Sequence, residues 1–164
     1  MAVNNLRDLY LDELKDVYNA EMQLIEALPK MAQKASNSEL QMAIEKHLGE
    51  TRGHVSRLEQ IFEELETKVS ASEKCEAMKG IIKESDEMLK KARDKETRDA
   101  AMIAMAQKAE HYEIASYGTL CAYARQLGFD EQMDLLLQTL EEEKMTDSSL
   151  TQLAESNINR LAAT

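Results

Sequence analysis

Four stretches of this chain each carry an apolar stripe at steps of three and four, and each stripe is interrupted near its middle by acids or histidines. The first runs Tyr10, Leu14, Val17, Glu21, Leu24, Leu28, Met31, Ala35. The second runs Leu40, Ile44, His47, Thr51, His54, Leu58, Ile61, Leu65, with Glu50 on its edge. The third runs Ile103, Ala106, Glu110, Glu113, Tyr117, Leu120, Ala124, Leu127, and the fourth Met133, Leu136, Leu140, Glu143, Asp147, Leu150, Ala154. Such spacing marks one face of an α-helix. A carboxylate on a buried face loses its hydration, which is costly unless something neutralises it. Four helices sharing this interruption at similar depth predict one buried polar layer, and a metal site is the economical reason for one.

The rest of the chain leaves helices little competition. It has 1 Pro and 5 Gly, too few for the turns of a many-stranded protein. At 164 residues it can build a single domain, residues 1–164, around one sizeable core. The prediction is an all-α four-helix bundle with one additional short crossing helix. The first helix covers residues 4–35, with a bend near Leu28 rather than a break at Pro29, because the stripe continues through Met31 and Ala35. Ser36 and Glu39 have capping-box spacing for a second helix reaching Glu66, and Ser70 and Glu73 have it for a short third helix. The third carries the stripe Cys75, Met78, Ile82, Ser85, Leu89, Ala92. The segment Asp94–Arg98 turns into a helix over 96–127, which Gly128 ends in the left-handed conformation, and the last helix spans Asp130–Leu161. The short helix 75–92 leaves one face of the bundle poorly covered, which predicts a homodimer.

Charge narrows the partners. With 20 basic against 31 acidic residues the formal charge is −11, which disfavours nucleic acid and anionic membranes. No apolar run approaches membrane-spanning length. Arg7, Asp8, Asp12 and Glu13 lie in an amphipathic pattern unlike a signal peptide. Cys75 and Cys121 form no C-x-x-C pair and read as buried thiols of a reducing cytoplasm. The expected location is cytoplasmic.

Facing carboxylates cannot all stay ionised in a dry core without positive charge. Glu21, Glu50, Glu113 and Glu143 together match the charge of two divalent metal ions. Oxygen ligands with imidazole suit iron or manganese, and oxygen alone suits magnesium or calcium as well. Bundles build dinuclear carboxylate sites in this way. With iron, such a site passes electrons to peroxide or dioxygen. A hint of duplication supports the pairing. Glu50 is followed four residues on by His54, and Glu143 four residues on by Asp147.

Each candidate has a plainer reading. Glu21 is a ligand or an edge glutamate reaching for solvent. Glu110 and Glu113, one turn apart, are ligands or an inter-subunit ion-pair face. Glu143 stands in an acidic run where Glu142 is its rival. His54 is a ligand or a satisfied core histidine, and His47 reads as a partner behind the ligands. Asp147 is a ligand or a lysine partner. Tyr117, with Tyr18 and Tyr112, hydrogen-bonds carboxylates or simply packs.

These residues sit in segments with a family resemblance: YNAEMQLIEAL from Tyr18, HLGETRGHVSRLEQIF from His47, CEAMKGIIKES from Cys75, AQKAEHYEIASYGTL from Ala106 and TLEEEKMTD from Thr139. Over nearly its whole length the chain resembles the YciF-like bacterial stress-protein family of the ferritin-like superfamily. The resemblance implies a ferritin-like bundle, a dimer, a role in the stress response and a site similar to that of di-iron proteins such as rubrerythrin. It sets Glu21, Glu50, Glu113 and Glu143 where the superfamily's glutamate ligands lie, and likens Glu110 to the additional glutamate of rubrerythrin-like sites. The chain departs from the common Glu-x-x-His pattern. Gly53 is the third residue after Glu50 and Thr146 the third after Glu143. Two functions therefore stand: a di-iron peroxidase or oxidase, and a non-catalytic structural or interaction protein whose site is inert.

Overall fold

A computed structural model describes residues 3–69 and 74–164. Helix α1 spans Leu6–Lys34, α2 Ser38–Glu64, α3 Glu76–Lys91, α4 Lys95–Leu127 and α5 Asp130–Leu153. Among the described residues there is no strand. The four long helices close a ring in which α1 packs on α2, α2 on α5, α5 on α4 and α4 on α1. The short α3 lies outside the ring against α4 and α1.

Local chemistry sets most helix ends. The Asn5 side chain accepts from Asp8 N at the start of α1, and Asp94 does the same for Thr97 N in α4. Helix α1 runs unbroken through Pro29. Gly128 ends α4 at φ 73°, a left-handed position that glycine adopts without a Cβ clash.

Two expected caps differ. Asn37, not Ser36, caps α2, accepting from the backbone N–H groups of Glu39 and Leu40. The buried Asp99 reaches across from α4 and accepts from Ser36 N and Asn37 N, so the connection is held by a tertiary contact that local spacing cannot reveal. The Ser70–Glu73 cap lies outside the described residues; α3 begins at Glu76 with Cys75 as its cap, whose sulfur accepts from Met78 N. The last helix is not uniform either. After Leu153 it widens to a π turn over Ala154–Ile158 before a short α6, Asn159–Ala162. Leu150, Ala154 and Ile158 are all buried at steps of four, and a wider turn keeps that row facing inward.

The stripes face the bundle interior and split into two apolar cores. One gathers Leu24, Leu28, Leu40, Ile44, Ile103 and Leu150, and α3 adds Met78 and Leu89. The other gathers Leu14, Val17, Leu58, Ile61, Leu120 and Leu136. Between them lies the polar layer.

Candidate metal centre

Each long helix delivers its mid-stripe polar residues to this layer. Glu21 comes from α1, His47 and His54 from α2, Glu110 and Glu113 from α4, and Glu143 from α5. All six are buried, and Glu21, His54, Glu113 and Glu143 expose none of their surface. Residues three, four or seven apart on a helix share a face. That is why Glu110 and Glu113 point the same way, and why His47 and His54 do so two turns apart.

The side chains form two overlapping groups. One atom each from His47, Glu110, Glu113 and Glu143 lies within 4.8 Å of the others, and the same holds for Glu21, His54 and Glu143. Glu143 belongs to both. His54 Nδ1 is 3.0 Å from Glu143 Oε1 and 3.3 Å from Glu21 Oε1. His47 Nε2 is 3.1 Å from Glu110 Oε1. These approaches are close but not aligned as hydrogen bonds. Both oxygens of Glu113 and of Glu143, both ring nitrogens of His47, His54 Nδ1, Glu21 Oε2 and Glu110 Oε2 are buried with no hydrogen-bond partner. Buried polar atoms are nearly always paired, so this concentration of orphans in one layer needs a compensating group. Carboxylates and imidazoles converging at these distances fit divalent cations.

Electrostatics agree. Burial, and then the Glu143 carboxylate, pushes Glu110 up to about 11. Burial followed by Glu143 and Glu21 holds Glu113 well above the carboxylate range. For Glu143, burial opposes ionisation, but His54 and Glu110 outweigh it and lower the group. Burial likewise opposes a charged His54, yet its contacts with Glu143 and Glu21 raise it to about 10. His47 is lowered, chiefly by burial. The layer holds more acid than its own bases can balance, so it takes up protons unless another cation is present.

Around the cluster stands a supporting shell. Tyr117 donates to Glu21 Oε1 at 2.5 Å. On its outer side His54 Nε2 lies 2.9 Å from Glu142 Oε2, and Arg57 grips Glu142 with two nitrogens, each at 2.8 Å. Arg57 also donates to Thr139 Oγ1 at 3.0 Å. Tyr18 and Tyr112 also bond carboxylates, but those of Glu59 and Asp16, away from the cluster.

Two expected members stay out. Glu50 is turned to the edge, where Lys46, one turn earlier on α2, pairs with it, and Thr146 donates to its other oxygen at 3.4 Å. Asp147 accepts from Gln107 Nε2 at 3.0 Å and lies 3.3 Å from His111 Nε2, so α4 holds it at the rim. His47, expected behind the ligands, is inside the cluster. Arg57 is the contributor that sequence reasoning missed. Its signal was weak: a lone cation one turn after His54, complementary to the acidic run at Glu141–Glu143.

Comparison with known proteins gives a consistent picture. The family described as a domain of unknown function (DUF892) matches residues 5–163. Protein YciF of Escherichia coli (strain K12) is 46% identical over 162 residues, covering 99% of this chain and 98% of that one. The crystal structure of the E. coli stress protein YciF superposes with a TM-score of 0.91 at 47% identity, over 96% of this chain and 99% of that one. YcfI of Rhodopseudomonas palustris, described as a candidate structural protein, gives 0.88 at 44% identity over 91% and 94%.

Proposed function

The chain belongs to the DUF892 family, and on that premise we propose that it is a cytoplasmic bacterial stress protein whose bundle core holds two divalent metal ions. The observation that carries the reading is the shared Glu143: two ligand groups meet at one carboxylate. Glu21 and His54 would hold one ion and His47, Glu110 and Glu113 the other, with Glu143 common to both. Four carboxylates then offset two divalent charges, and Glu110 takes the place in that count first given to Glu50. Two imidazoles favour iron or manganese over magnesium or calcium. Bound iron would supply electrons for reducing peroxide or dioxygen. The protein's part is to orient and to exclude water. Tyr117 fixes Glu21, Arg57 fixes Glu142 and through it His54, and the two apolar cores seal the layer from both sides.

Anaerobic loading with Fe²⁺ followed by peroxide tests the redox reading. The expected result is a ferric absorption band and one peroxide consumed for each pair of irons. Iron that binds without consuming peroxide would leave the second reading, a non-catalytic protein with an inert site. That alternative draws support from Glu50 and Asp147, which are tied to Lys46 and Gln107 rather than to the cluster. The proposal includes a homodimer. Met42 of α2 and Met145 of α5 are exposed on two helices that pack together and offer apolar surface for it.

A further inference from the structure

Beside the polar layer, between α1, α3 and α4, lies a cavity of about 160 Å³. Its walls are apolar, with Leu28 and Met31 from α1, Ile81 and Ile82 from α3, and Met105 and Ala106 from α4. His47 and Glu110 line it where it meets the cluster. The exposed Glu26, Lys30 and Asp86 line it too, so it opens to solvent between α1 and α3.

The polar end is under-satisfied. His47 is 4% exposed and neither ring nitrogen has a hydrogen-bond partner, and Glu110 is 1% exposed with Oε2 unpartnered. A histidine that ligates a metal ordinarily passes its other ring N–H to a carboxylate, a carbonyl or a water. Among the described residues Glu110 Oε1 lies nearby, 3.1 Å from His47 Nε2, but neither ring nitrogen makes a hydrogen bond.

We propose that the cavity binds a small, neutral, largely apolar molecule carrying one hydroxyl, of about the size of phenol, with the hydroxyl set between His47 and Glu110. A hydroxyl both donates and accepts, so one such group can serve an imidazole N–H and a carboxylate oxygen together. Size agrees, because an aliphatic cavity of about 150 Å³ accommodates benzene. Charge agrees as well. The charged Glu26, Lys30 and Asp86 are exposed and line the solvent side, while Leu28, Met31, Ile81, Ile82, Met105 and Ala106 offer an ionic ligand no counter-charge, so its desolvation against them would go uncompensated. The inference rests on the polar layer being a binding centre, though not on which metal it takes.

Titration of the full-length protein, labelled with ¹³C in its methionine methyl groups, with phenol reads the cavity directly. Met31 and Met105 are expected to shift saturably while the exposed Met42 and Met145 stay fixed. Ala106→Phe, which fills the cavity, is expected to abolish those shifts while leaving Zn²⁺ uptake unchanged. Ala27→Leu, on the α1 wall, serves in its place if Ala106→Phe does not fold. Absence of saturable shifts at Met31 and Met105 overturns the proposal, and so does their survival in a folded cavity-filled variant. Zn²⁺ uptake on the same samples reads the metal centre separately. Phenol binding without zinc uptake upholds the cavity and contradicts the centre.

Discussion

His54 Nδ1 of α2 and Glu143 Oε1 of α5 meet at 3.0 Å with neither side chain exposed to solvent. The contact joins two helices at the level where both would otherwise be apolar. It also links the inside of the cluster to its outside, because the same imidazole reaches Glu142 with Nε2, and Glu142 is gripped by Arg57.

That outer arm predicts the behaviour of Arg57→Ala. The substitution frees Glu142 and lets the His54 ring turn, while touching no cluster residue itself. Loss of such a supporting contact ordinarily weakens metal affinity about 10–100-fold. Competition against a chelator of known affinity measures it, and Arg57→Lys should recover only part, since lysine cannot make the paired contact. Unchanged affinity in Arg57→Ala would remove this positioning role.

Glu113 brings two buried oxygens without partners and repelling neighbours in Glu143 and Glu21. Glu113→Gln is therefore expected to stabilise the metal-free protein at neutral pH, because it removes a carboxyl that the fold must keep protonated well above its ordinary pKa. The same variant should take up less metal. Glu64→Ala, on the exposed surface beyond the layer, should change neither quantity. Denaturant melts with and without chelator separate the two effects.

Stability of the metal-free protein should fall as pH rises from 7 to 10. Glu110 and Glu113 ionise in the unfolded chain in the ordinary carboxylate range, but in the fold Glu110 does so only at about 11 and Glu113 is likewise raised. Their stabilisation is complete below the unfolded pKa and is lost as pH climbs toward the folded one. His54, raised to about 10, acts with the same sign above its ordinary value near 6.5. The depressed groups act on the acid side: Glu143 contributes stability that is lost as pH falls through its lowered pKa, and His47, lowered chiefly by burial, costs stability below its ordinary value. Saturating metal should flatten the alkaline slope, because ligands bind as deprotonated groups. Thermal melts across that range, with and without metal, check it, and a rising melting temperature in the metal-free protein would contradict it.

The homodimer is tested by sedimentation. A single 18.6 kDa species at micromolar concentration would refute it. A species of twice that mass that dissociates when Met42 and Met145 become glutamate would locate the interface.

The stripes made the bundle legible, because steps of three and four place residues on one face whatever the neighbours do. Glu21, Glu110, Glu113 and Glu143 could be assigned to one layer for the same reason. Glu50 was harder to read. It sits on the stripe's edge, and a lysine one turn away decides which way an edge side chain points. The neighbouring Glu142 and Glu143 could be separated only by helical phase, which turns Glu143 inward and Glu142 toward Arg57. The place of His47 among the clustered side chains was not legible, because it depends on the distance between helices, which periodicity does not encode. The Asp99 clasp on the α1–α2 turn is a contact across 63 residues and leaves no local trace.

Glu143 belongs to both side-chain groups of the buried layer, and on the proposed function it would serve two cations at once. Elemental analysis of protein equilibrated with Mn²⁺ or anaerobic Fe²⁺ and freed of excess metal tests it most directly. Two ions per chain are expected in the wild type and loss of both in a folded Glu143→Ala variant, with Glu50→Ala retaining its metal. A folded wild-type protein that retains none, or a Glu143→Ala variant that keeps two, would contradict it.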